Sequence, residues 1–138
     1  MMPHGLTRIK IFCAKYDTDS SAEMLCNSVM ANFVTDNPMV LLVLAVQDMS
    51  TVGHLLCSVD VWCDKKYITI LQYDLDKAVD FGILSAALDR VGVWGLTHGA
   101  ENMQVLAQTR GDRPMALSRM FERYYGFKMH RVLMRKPI

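Results

Sequence analysis

No apolar stretch in this chain is long enough to cross a bilayer. The longest, residues 39–46, falls far short of the roughly twenty residues a helical span needs. The opening MMPHGLTRIK has no apolar core of the kind a secretion signal carries, so a non-secreted protein is expected. The four cysteines, Cys13, Cys26, Cys57 and Cys63, form no CxxC pair. His54, His98 and His130 lack the spacing of a metal site or a Ser-His-Asp triad. Buried, reduced thiols are therefore expected in place of disulfides or a metal centre. There is no internal repeat and no low-complexity linker, which predicts a single domain over residues 1–138.

What is present suits a packed core. Hydrophobic residues make up 51% and charged residues 21%, which excludes a disordered chain. The net charge of +1 conceals a division. Residues 1–109 carry seven Lys/Arg against twelve Asp/Glu, whereas residues 110–138 carry eight basic residues against Asp112 and Glu122. That asymmetry suggests a basic face for an anion or partner, or a solvated face that offsets the acidic part. The basic run carries no nucleic-acid-binding pattern beside its charge. Several of the eleven methionines, among them Met103, Met115, Met120, Met129 and Met134, sit in the same C-terminal third. Methionine fills cores and also serves adaptable protein-binding surfaces.

The order of elements can be read from periodicity. Residues 6–16 alternate, with Ile9, Ile11 and Cys13 opposite Arg8 and Lys10, which predicts a strand. Ser20-Ser21-Ala22-Glu23 reads as a capping box with Ser20 as the cap, opening a helix to residue 33 that Asp36-Asn37-Pro38 ends. Residues 39–47 are apolar throughout, as in a central strand covered on both faces. After a turn at 48–53 come strands at 54–63 and 67–75, joined by a turn at 64–66. Val79, Ile83, Leu84, Ala87, Leu88 and Val91 then mark one buried stripe of a helix. A loop at 92–102, a strand at 103–108, a helix at 114–125 opened by Arg113-Pro114, and a strand at 127–135 complete the chain. The strand-to-helix junction near residues 74–84 presents free N–H groups and a positive helix end, which favours an anion where the loop is open and uncharged.

This order, β-α-βββ-α-β-α-β, together with the ending Met120-Phe121-Glu122-Arg123-Tyr124-Tyr125-Gly126-Phe127, resembles the GNAT family of acetyl-CoA-dependent N-acyltransferases. Ser85-Ala86-Ala87-Leu88 is similar to the helix after that family's cofactor loop. The resemblance implies an α/β (α+β) fold: a mixed, mainly antiparallel sheet of about six strands flanked by three helices. It places any acetyl-CoA contact at Leu75, Gly82, Ile83, Leu84 and Ser85. The family's loop reads Q/R-x-x-G-x-G/A. This chain matches it only at Gly82, with Val79 and Leu84 at the other two positions. Asp74, Asp76 and Asp80 surround the loop against Lys77 alone; carboxylates repel a pyrophosphate, and a leucine side chain blocks backbone approach. The aspartates also suit a helix N-terminus.

For catalysis the resemblance implies a carboxylate or water as base and a tyrosine as acid. Asp60, Tyr124 and Tyr125 are the candidates, although the family's usual tyrosine position holds Glu122. Three readings follow. The first is an acetyltransferase-like protein without a working cofactor loop, acting as a structural or assembly component in a virion or the host cytoplasm. Small GNAT-like virion proteins of short-tailed phages look similar. Its partners would be proteins that meet the basic, methionine-containing C-terminal third. The second is an active acetyl-CoA-dependent N-acetyltransferase, and the third a nucleic-acid-binding module.

Overall fold

The computed structural model describes residues 2–16, 21–76, 80, 82–105, 116–129, 134 and 136–138. Its elements are α1 (Met2–Tyr16), α2 (Ala22–Phe33), β1 (Val40–Gln47), β2 (Ser50–Trp62), β3 (Lys65–Leu75), α3 (Gly82–Thr97), β4 (Asn102–Val105) and α4 (Ala116–Tyr125). The chain divides into two compact units, Met1–Leu106 and Ala107–Ile138. The expected class holds, a mixed α/β fold. Among the described residues there are four strands and four helices, where about six and three were expected.

The strands form one sheet in the order β1-β2-β3-β4, antiparallel through β3, with β4 parallel to β3. Alternate residues of β1 face opposite ways. Leu42 and Leu44 lie against Gly5 of α1, while Val43 faces α3. Helices therefore cover both faces, which explains why residues 40–46 are apolar throughout. The strand is not central as expected: it is the edge of the described sheet, half-buried from Val40 to Ala45 and exposed at Val46 and Gln47.

The first element is a helix, not the strand expected over 6–16. Gly5, Ile9, Phe12 and Cys13 are its buried positions, spaced i, i+4, i+7, i+8, while Ile11 is 46% exposed. The apparent alternation coincided with a helical stripe, and a helical stripe buries more here because two helices share it. Ile9 and Cys13 join Cys26 and Val29 of α2 and Leu56 of β2 in a core over that face of the sheet. The cap of α2 is Ser21, one residue later than expected, its hydroxyl accepting the Met24 N–H. Ser20 lies outside the described residues. Phe33, the last residue of α2, is 73% exposed.

The region 92–102, expected to be a loop, is mostly helix. α3 continues to Thr97, and Gly95 is buried so tightly that a Cβ would stand 2.6 Å from Ile68. Its end is a Schellman turn: Gly99 adopts φ +80, Ala100 N–H donates to Gly95 O, and Gly99 N–H to Leu96 O. The strand expected at 103–108 is observed as β4, with its last residues outside the description. So are Pro114 and most of the expected strand at 127–135, whose described residues are not in a strand.

Both hairpins turn more tightly than expected, through Asp48-Met49 and Cys63-Asp64, with all four residues at positive φ. Paired positive φ marks a turn of type I′, whose usual residues are Asn/Asp-Gly. Met49, 90% exposed, sits at φ 64 with nothing to hold it there. Met49→Gly is expected to stabilise the protein by about 0.5–1 kcal/mol, the left-handed penalty removed less glycine's added entropy in the unfolded chain. Urea unfolding of the two proteins measures this.

Among the described residues of the second unit, Phe121 is buried. Gly126 takes φ +73, which lets Phe127 turn back so that its N–H donates to Phe121 O at 3.2 Å. The Phe127 ring meets Phe121 edge-on at 5.1 Å, and Tyr125 packs on the same ring at 5.7 Å.

Candidate functional site

The end of β3 and the start of α3 bring together Asp74, Asp76 and Asp80. Arg8 of α1 reaches this point: its Nη2 lies 3.2 Å from Asp74 Oδ2 and 3.1 Å from Asp76 Oδ1, and its Nη1 donates to Thr51 O. Asp74 and Asp76 are thus paired with a guanidinium and do not act as helix-end acids, the reading their sequence position suggested. Only Asp80 does so. Its Oδ1 accepts the Gly82 N–H at 2.9 Å, and its carbonyl accepts Ile83 N–H at 3.1 Å. Gly82 is accordingly the first residue of α3. Residues 77–79 and 81, Val79 among them, lie outside the described residues.

Leu75, Ile83 and Leu84, three of the five residues the family likeness assigned to a cofactor, come together in a crevice of about 200 Å³ between α3 and strands β1–β3. Leu84 is buried in the wall, whereas Gly82 and Ser85 are exposed and do not line it. Asp60 is elsewhere. It pairs with Tyr67, seven residues along β2 from Gly53, which pairs with Leu75, so it stands ~23 Å down the strand. Asp60 is exposed and accepts the Ser58 hydroxyl. Tyr124 and Tyr125 belong to the second unit. Arg123 lies over the Tyr124 ring at 5.4 Å, and burial pushes the Tyr125 phenol above its ordinary pKa. The Tyr125 hydroxyl is buried and has no hydrogen-bond partner among the described residues.

On the other face of the sheet, beneath α1, is a buried polar chain that sequence reasoning missed. His54 Nε2 lies 3.0 Å from Gln72 Oε1, and Gln72 Nε2 donates to Cys13 Sγ at 3.2 Å. Phe12 closes it edge-on at 6.0 Å. Burial lowers the His54 pKa; the Gln72 bond opposes it in part, and the Arg8 charge (lowering) and Asp74 (raising) have lesser effects. With Nε2 donating to Gln72, the imidazole is neutral and its buried Nδ1 has no partner. The chain follows a β-bulge: Leu56 pairs with Gln72 and Cys57 with Ile70, leaving Leu71 without a partner. An alternating pattern gives no sign of such an extra residue. Cys13, Cys26 and Cys57 are buried and unbridged as expected, but Cys63 is exposed at a turn. No group of three potential metal ligands occurs among the described residues.

No family model and no curated protein matches this sequence. Solved structures do match. AAC(6')-Iy in complex with a bisubstrate analogue, CoA-S-monomethyl-acetylneamine, superposes with a TM-score of 0.69 at 12% identity, over 99% of this chain and 91% of that one. A transcriptional regulator from Bacillus halodurans C-125 gives 0.68 at 17%, over 100% and 95%. A GNAT family acetyltransferase from Staphylococcus aureus gives 0.57 at 13%, over 96% and 91%. At such identities the likeness speaks for the backbone arrangement alone, and that arrangement is the GNAT acetyltransferase fold.

Proposed function

We propose that this GNAT-fold protein is acetyltransferase-like without acetyl-CoA turnover, and that it works as a structural or assembly component of a phage virion. One observation carries the reading: the Gly82 N–H is already taken by the Asp80 carboxylate at 2.9 Å. A pyrophosphate at this helix start would need that N–H, and would need to displace a like charge to reach it. Leu84, 3% exposed and packed into the core, adds a second obstacle to backbone approach. The residues present therefore do not suit a pyrophosphate. Arg8 removes part of the repulsion by pairing with Asp74 and Asp76, but it is held on those groups and on Thr51 O.

The second reading, an active N-acetyltransferase, has one specific support: a structural neighbour with a coenzyme A bisubstrate analogue matches nearly the whole chain. Tyr124 or Tyr125 would be its acid; Asp60, on the far end of β2, is poorly placed as a base for anything bound near residue 75. Titration with acetyl-CoA by calorimetry and thermal shift separates the two. A ligand at a hundredfold excess over Kd raises stability by about 2.7 kcal/mol. No heat and no shift at millimolar coenzyme is the expected result. Saturable micromolar binding overturns the structural reading and turns attention to acceptor amines.

A further inference from the structure

We propose that the crevice between α3 and the β1–β3 face of the sheet is a binding site for a short aliphatic carboxylate. Its walls are apolar, formed by Val43, Ala45, Leu55, Leu75, Leu84 and Ala87. Alanines at 45, 86 and 87 leave the space that larger side chains at those positions would fill. At about 200 Å³ it is somewhat larger than a 150 Å³ apolar cavity that holds benzene, so it takes a tail of roughly six to eight carbons. A purely apolar guest would leave the polar part of the lining unused.

The polar residues of the lining are His54, Tyr73, Asp74 and Arg90, and the cation among them is Arg90, one turn beyond Ala86 and Ala87 on α3. Arg90 lines the crevice, is exposed, and has no ion-pair partner among the described residues. The anionic residue in the lining, Asp74, does not compete for it. Asp74 gives its carboxylate to Arg8 of α1, which packs on the opposite face of the sheet from α3. His54 also lines the space, and its imidazole is engaged with Gln72 and Phe12 under α1. An apolar tail among Leu55, Leu75 and Leu84 with its carboxylate at Arg90 satisfies both features at once. The proposal does not depend on the Asp80 cap, so either can fail alone.

The test is calorimetric titration of the full chain with octanoate, octanol and octanoyl-CoA, repeated on Arg90→Gln and Ala87→Phe. For a ligand of this size, octanoate is expected to bind saturably with a Kd on the order of 1 mM or tighter. Arg90→Gln is expected to weaken octanoate about tenfold and leave octanol within about twofold. Ala87→Phe is expected to abolish binding of both, and Ala86→Leu, at an exposed helical position, repeats the blockade if Ala87→Phe fails to fold. Absence of saturable octanoate binding overturns the site. Equal loss of octanol and octanoate in Arg90→Gln, or no loss in either filling variant, does the same. Octanoyl-CoA binding more tightly than octanoate overturns the carboxylate assignment.

Discussion

Stability is expected to fall as pH drops below about 6.5, with a slope of up to ~1.4 kcal/mol per pH unit from a single residue, His54. The group is 3% exposed and its pKa is lowered in the folded state, chiefly by burial. The unfolded chain takes up a proton near the ordinary histidine value; the folded chain does not until its own, lower pKa is reached. Between those two values the unfolded state binds more protons, so acid favours unfolding. Above pH 6.5 the effect is absent, and below the folded pKa it stops growing. Protonation also has a structural cost, because the imidazolium would carry a second buried N–H that Nδ1 has nothing to satisfy. Phe12, Gln72, Asp74 and Arg8 surround or act on the ring; the Gln72 bond and, less strongly, Asp74 favour the cation, and burial outweighs both. Urea unfolding at pH 7.5, 6.5 and 5.5 measures the slope. His54→Gln, which stays neutral, is expected to flatten it, and an unchanged slope in that variant would falsify the assignment.

Arg8→Ala is expected to lower stability by ~1–3 kcal/mol. A single guanidinium joins α1 to the end of β3 through two carboxylates and to β2 through Thr51 O. A buried pair broken on one side costs about 3–5 kcal/mol. Here the Arg8 side chain is 15% exposed but Asp74 and Asp76 are 33% and 53% exposed, so solvent screens the charges left behind and the cost is smaller. Arg8→Met keeps the aliphatic stem against the sheet and is expected to recover part of the loss. Adding Asp74→Asn to Arg8→Met should recover more, by removing the repulsion between two unpaired carboxylates. If Arg8→Ala and Arg8→Met behave alike and Asp74→Asn changes nothing, the residue matters through neither packing nor charge. Midpoints from urea unfolding of the four proteins decide this.

The middle of the chain was the most legible part. The strands expected at 54–63 and 67–75 are observed as the adjoining antiparallel β2 and β3, because β-branched and aromatic residues between turn signals suit a pleated, half-buried surface. The buried stripe from Leu84 to Val91 is a helix face as its spacing requires. At the first element the same kind of reading failed. Arg8 and Lys10 both fell on the polar side of a supposed strand, yet in the helix Arg8 turns inward to two aspartates and Lys10 outward to solvent. Over so short a segment, periods of 2 and 3.6 share several positions, and only the partner surface decides between them.

Local chemistry in the sequence was enough to determine the helix cap among Ser20 to Glu23, within one residue, and an aspartate at the start of α3, realised at Asp80 though not at Asp74 or Asp76, because a cap depends on a residue and its near neighbours. The tertiary structure alone decided that Arg8 meets Asp74 and Asp76, separated from it by 66 and 68 positions. It also decided that His54 and Gln72 share a buried bond across a bulge, and that Arg90 lines a crevice with Val43 and Leu55. These groups lie on different elements, and their meeting depends on sheet register and on which helix covers which face. A one-residue change of register would send each strand side chain to the opposite face, and no local pattern records that choice.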